Sequence, residues 1–253
     1  MQARSRAVLR TRSNETDHSQ SLVISTYLHV VESIDRVGLV TQKQLDDQMV
    51  VLNERFAPHS IQFTVKNTTH TVNDAWANSI RHADKAKTLR QGAYDDLNLY
   101  FTSGLVNDGM TGFCEFPDPD PRKNGFNGTS YYEFDGCHIN PSTLPGGAGA
   151  GLNNSDNKGI WAVHEVGHWF GLLHTFDTEA CDNVGDAIDD TPAQSVANRG
   201  CPMDPPHDSC PGLEGLDAIH NYMDYTSDDC KTEFSPLQGE RMLQLFTTLR
   251  HGK

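Results

Sequence analysis

The chain has no cysteine before residue 114, no long apolar run, and few basic residues for its size. Each shortage excludes something. No stretch approaches the roughly 20 apolar residues that a membrane-spanning helix needs. The opening residues carry Arg4, Arg6, Arg10 and Arg12 with no apolar core behind them, so as they stand they do not read as a secretory signal peptide. Lys and Arg total 20 against 34 Asp and Glu, a formal net charge of -14. Such a surface repels phosphates and anionic lipid, so neither nucleic acid nor membrane is an expected partner. No two cysteines stand as C-x-x-C, which argues against a cysteine zinc site.

What is present points to an oxidising, extracellular setting. The six cysteines are Cys114, Cys137, Cys181, Cys201, Cys210 and Cys230, an even number whose pairing the sequence alone leaves open. Glycosylation sequons occur at Asn14, Asn67, Asn127 and Asn153. The 253 residues are enough for one large domain or two small lobes around a cleft.

Residues 22–31, LVISTYLHVV, are β-branched and apolar and predict a strand. Thr41 is placed to cap a helix whose inner face carries Leu45, Met49, Leu52 and Phe56. Residues 61–65 and 97–101 alternate as half-buried strands, and a polar helix is expected around 84–91. From Gly104 to Gly159 the chain is rich in Gly, Pro, Asn and Asp, with one short strand near Cys137 to Asn140. A helix should begin near Lys158. The long segment after His174 has little periodicity, so its order must come from disulfides, metal ions or packing. A last helix is expected from Pro236 to Leu249, with Met242, Phe246 and Leu249 facing inward.

Residues 164–174 read HEVGHWFGLLH. On a helix His164 and His168 lie one turn apart on one face and can meet one zinc ion. Glu165 projects roughly 100° round the helix, within reach of a zinc-bound water as general base. Gly171 permits a sharp turn that returns His174 to the metal, leaving the fourth position for water. Downstream, NYMDY at 221–225 places Met223 in a turn as an apolar floor beneath the imidazoles. Tyr225 is placed to direct its hydroxyl at the metal or at a tetrahedral oxyanion.

These residues resemble the metzincin zinc endopeptidases and, within them, the pappalysin family, most of all its secreted fungal extracellular metalloproteases. The likeness rests on HEVGHWFGLLHTF (164–176), GDAIDDTPAQ (185–194), GCP (200–202), HNYMDYTSDDC (220–230) and FSPLQGERM (234–242). QLDDQMVVLNERF (44–56), LNLYF (97–101), DGCHI and LPGG match as well, so it covers nearly the whole chain from about residue 22. The resemblance implies an α+β fold: an upper lobe with a mixed twisted sheet and two long helices, a smaller irregular disulfide-bonded lower lobe, and a zinc cleft between. On that reading residues 1–20 are a flexible segment, and 21–253 form one catalytic domain divided near residue 171.

The resemblance further implies zinc ligation by His164, His168 and His174, with Glu165 as general base and Tyr225 assisting the transition state. It implies the disulfides Cys181–Cys210 and Cys201–Cys230, with Cys114 and Cys137 as the remaining pair. It implies a calcium site near 185–191, from Asp186, the Thr191 hydroxyl and the backbone of Gly185 and Asp189, since oxygen ligands in a loop suit that ion. The expected activity is that of a secreted, monomeric endopeptidase acting on protein or peptide substrates. Two other readings are a catalytically weak, zinc-stabilised protein-binding module and a hydrolase of non-peptide amides. In metzincins an edge strand above the motif helix binds extended substrate, and the chain near 104–116 is the expected edge. Two features depart from the family pattern: the stretch from Phe116 to Phe134, and Trp161, where a small polar residue is expected.

Overall fold

The computed structural model describes residues 21–253 apart from 127, 151–154 and 182–184. The N-terminal segment 1–20, the sequons at Asn14, Asn127 and Asn153, and the last residue of the glycine-rich run at 145–151 lie outside the described residues.

β1 (Leu22–Glu32) sits inside a five-stranded sheet and is buried along most of its second half, which its apolar, β-branched sequence requires. α1 (Gln42–Phe56) starts at Thr41, whose side chain and that of Gln44 cap each other's backbone, and buries Leu45, Met49, Leu52 and Phe56 as its periodicity predicts. β2 (Ile61–Val72) runs seven residues beyond the predicted end at Val65. It is an edge strand whose outer half faces solvent, so its β-branched threonines continue the strand without apolar alternation. After the short α2 (Asp74–Ala77), α3 (Ala83–Leu89) is the helix expected around 84–91, and it buries Lys85, Ala86 and Leu89. β3 (Leu97–Thr102) is buried throughout.

The expected edge near 104–116 resolves into α4 (Leu105–Asp108) and β4 (Gly112–Cys114). The 116–134 stretch holds a small hairpin, β5 (Gly125–Phe126) with β6 (Thr129–Ser130), and one turn of helix, α5 (Tyr131–Phe134). β7 (Cys137–Ile139) completes the large sheet, whose order is β2-β1-β3-β7-β4. All its pairs are parallel except β4 with β7, so the sheet is mixed and β4 forms one edge.

α6 (Ile160–Trp169) is buried on every side. Gln48 of α1 donates to the Gly159 carbonyl at 3.0 Å, which fastens the start of α6 to α1. α7 (Pro236–Leu245) begins with a capping box between Ser235 and Gln238. It stops at Leu245 rather than Leu249 and widens into a π turn over Phe246–Arg250. The wider turn puts Arg250 rather than Leu249 inside, eight residues after Met242. Arg250 is fully buried, pairs with Asp135 at 2.8 Å, and donates to the carbonyls of Trp169, Tyr94 and Glu115.

One apolar core runs from Ile24, Leu45 and Phe101 through Val163, Val166 and Phe170 to Tyr222, Met223 and Phe246. The cysteines pair as Cys114–Cys137, Cys181–Cys210 and Cys201–Cys230.

Candidate active site

α6 ends because Gly171 adopts φ 99°, which only glycine enters cheaply. The Leu172 N–H donates to the Gly167 carbonyl at 3.0 Å and the Gly171 N–H to the His168 carbonyl at 2.8 Å, the paired bonds of a Schellman cap. That turn aims the Leu172 carbonyl back at His168, whose Nδ1 donates to it at 2.8 Å. His164 Nδ1 donates to the Tyr222 carbonyl at 2.7 Å. His174 is stacked on Phe176 and places Nδ1 3.3 Å from an Asp177 carboxylate oxygen.

These partners fix the tautomer. A carbonyl only accepts, so the proton of His164 and of His168 sits on Nδ1 and each Nε2 presents a lone pair. His168 Nε2 lies 3.1 Å from His164 Nε2 and 3.1 Å from His174 Nε2. Burial holds His164 well below the usual histidine range and brings His168 down to about 3, so no proton lies between their lone pairs. Converging lone pairs at that distance repel unless a cation sits among them. Two nitrogens bound tetrahedrally to one zinc ion are about 3.3 Å apart, so the donor set fits that metal.

Glu165 is buried beside this cluster, and burial pushes its carboxyl up to about 8 against the opposing pull of the Lys231 charge. Met223 is fully buried under α6, and Gly167 leaves the space it occupies: a Cβ at 167 would lie 2.6 Å from the Met223 sulfur. Asn221 shapes this turn by accepting from the Met223 N–H at 2.9 Å. The Tyr225 ring stands 4.9 Å from that of His174 and 5.6 Å from that of His164, centroid to centroid. Burial, and then the nearby Glu165 charge, raise its phenol above the ordinary tyrosine value.

Several residues at the site were not singled out from sequence. The Leu172 and Tyr222 carbonyls act through backbone, which no residue type announces. Asp177 had a signal, three residues after His174. Trp161 packs its ring 5.2 Å from His164 and 5.7 Å from Tyr225, with the buried Lys231 ammonium 3.6 Å over its face. The unexpected tryptophan is thus a wall of the site.

Away from the histidines, Asp186 is buried and pushed up to about 7 by that burial. Its Oδ1 accepts from the Thr191 hydroxyl at 2.6 Å and the Ile188 N–H at 3.1 Å, while its Oδ2 has no hydrogen-bond partner among the described residues. Gly185 and Ala187 both have positive φ, which folds this loop tightly, and Asp189 lies exposed within it. Among the described residues the one other metal-like grouping is Cys201, His220 and Cys230, whose cysteines are joined in a disulfide.

A mixed sheet over a histidine-bearing helix, with a methionine turn beneath, defines a metallopeptidase of the metzincin type. The chain belongs to the Peptidase M43 family, described as pregnancy-associated plasma protein-A, whose model matches residues 94–247. An extracellular metalloprotease of Pyricularia oryzae is 45% identical over 235 residues, covering 92% of this chain and 78% of the relative. One from Colletotrichum graminicola is 44% identical over 232 residues, covering 91% of this chain and 78% of the relative. Among solved structures, mirolysin in complex with compound 9 matches with a TM-score of 0.72 at 25% identity, covering 91% of this chain and 93% of that one. Tannerella forsythia mature mirolysin in complex with a cleaved peptide matches at 0.67 and 26%, covering 90% and 92%.

Proposed function

We propose that this metallopeptidase is a secreted zinc endopeptidase in which His164, His168 and His174 hold the metal and Glu165 is the general base. The observation that carries the reading is the convergence of three Nε2 atoms, with the other ring nitrogens held by Tyr222, Leu172 and Asp177. Zinc bound there supplies a Lewis acid and lowers the pKa of a water towards neutrality.

The chain's own groups do the rest. Glu165 takes the proton of the attacking water and hands a proton to the departing amine. Tyr225 keeps its phenolic proton and donates it as a hydrogen bond to the oxyanion. β4 is the sheet edge to which an extended substrate adds as a further strand. Peptide substrates are supported by the cleaved peptide bound to mature mirolysin. Secretion is supported by the names of the fungal relatives and by three disulfides. No helix among the described residues is long and apolar enough to cross a membrane. The acidic surface argues against nucleic-acid partners. We assign residues 21–253 to one catalytic domain, divided at Gly171 into upper and lower lobes, and acting as a monomer.

The reading as a zinc-stabilised binding module is less well supported. A structural site fills its fourth position with protein, and no fourth His, Cys, Asp or Glu among the described residues joins the three histidines. We also propose calcium at Asp186, where Oδ2, unpartnered among the described residues, is the free donor, with Thr191 and the backbone of Gly185 and Asp189 around it.

Casein, gelatin and a peptide library should be cleaved by the protein, not by the chelated protein, and again after zinc is restored. Elemental analysis should find about one zinc per chain. No cleavage by the zinc-loaded protein would end the peptidase reading.

A further inference from the structure

Glu165 needs a fixed carboxylate, yet no described residue donates a hydrogen bond to that carboxylate. Packing must hold it. The backbone of Gly112, in the edge strand β4, packs against it. A Cβ at position 112 would lie 2.6 Å from Glu165 Cγ, 2.8 Å from Oε1 and 2.9 Å from Cδ. These separations are shorter than real carbon contacts allow, so the glycine backbone lies directly against the Glu165 side chain.

We propose that Gly112 is a positioning residue for the reaction: its bare backbone is the wall that sets where the Glu165 carboxylate stands. This rests on the reading of Glu165 as general base. Three observations fix the wall. β4 is in register with β7, Gly112 opposite Ile139, Phe113 opposite His138 and Cys114 opposite Cys137. The Cys114–Cys137 disulfide clamps the strand two residues away. On the other side α6 is buried all round and cannot retreat.

A side chain at 112 therefore cannot be relieved by moving strand or helix. What can yield is the Glu165 side chain, by swinging towards the cleft. The fold should then tolerate a methyl group while catalysis does not. A misplacement of about 1 Å at a catalytic group lowers rates by on the order of 10²-fold. The same strand is the substrate's docking edge, but docking uses backbone groups that alanine retains, so KM should move little.

The test is a cycle of Gly112→Ala, Glu165→Ala and the double variant, reading kcat, KM, zinc content and Tm. Gly112→Ala should keep zinc and KM and lose on the order of 10²-fold in kcat. Glu165→Ala removes Cγ, the atom nearest the added methyl, so any fall in Tm caused by Gly112→Ala should vanish in the double variant. Wild-type kcat in Gly112→Ala, or a fall in Tm that persists in the double variant, would overturn the proposal. If Gly112→Ala does not fold, Glu165→Ala in the same chain should restore folding; failure to do so would also overturn it. Full activity of Glu165→Ala with Gly112 intact would instead refute the general-base reading.

Discussion

The sheet-bearing part of the molecule, residues 22–139, and the segment from His174 to Ser235 both reach the histidine site by different means. The first is built of strand ladders and amphipathic helices around an apolar core. In the second, among the described residues, pairing is limited to the isolated bridges Met203–Pro206 and Asn221–Glu233. Two disulfides and side chains bound to backbone take its place. Buried Asp217 accepts from Ser209 and Asn198 and contacts His207, and Asp224 accepts from the Asn198 and Tyr225 N–H groups. The difference teaches where order comes from. Periodic sequence orders the first region into repeating backbone ladders, whereas the second is ordered by individual disulfide and side-chain links that no period announces.

The largest expected effect comes from cutting the link between the last helix and the sheet side. Arg250→Ala takes from buried Asp135 the nearer of its two charge partners, leaving Arg90 at 3.7 Å, and removes a donor from the Trp169, Tyr94 and Glu115 carbonyls, so urea unfolding should register a loss of about 3–5 kcal/mol. Next comes the disulfide contrast. Replacing Cys201 and Cys230 by serine should cost about 3–4 kcal/mol, because a loop of 29 residues has no ladder to close it, and zinc affinity should fall. Replacing Cys114 and Cys137 should cost less, since β4 and β7 stay hydrogen-bonded, and zinc content measured after dialysis should be unchanged.

The sheet side carries its own pH sensitivity. His29 is buried between Thr69 and Asn98, and burial lowers it to about 4. The unfolded chain binds a proton there below about pH 6.5 while the fold does not. Stability is therefore complete above pH 6.5 and is lost as pH falls towards 4, by about 3 kcal/mol from this group. Chemical denaturation of His29→Asn across that window should flatten the slope. The smallest effect is Thr41→Ala, which removes an exposed cap from α1 and should lower stability by about 1 kcal/mol in the same assay.

Legibility from sequence follows the same divide. β1, α1, β3 and the α6 motif are readable because side-chain periodicity dictates them, and the cap at Thr41 and the stop at Gly171 follow from residue chemistry. The π turn after Leu245 is not readable, since it is set by the pull of Arg250 towards Asp135 and the Trp169 carbonyl. At the site, the three histidines and Glu165 are legible as a spacing. The carbonyls of Leu172 and Tyr222 that orient them are not, and neither is Gly112, whose importance is the absence of a side chain in one place.

The central claim is that one buried carboxylate beside three converging imidazoles performs hydrolysis. It is tested most directly by comparing wild type and Glu165→Gln, zinc content and peptide cleavage measured on the same samples. The account predicts about one zinc per chain in both, with cleavage by the variant reduced by roughly 10²- to 10⁴-fold. Cleavage by Glu165→Gln at the wild-type rate would contradict it.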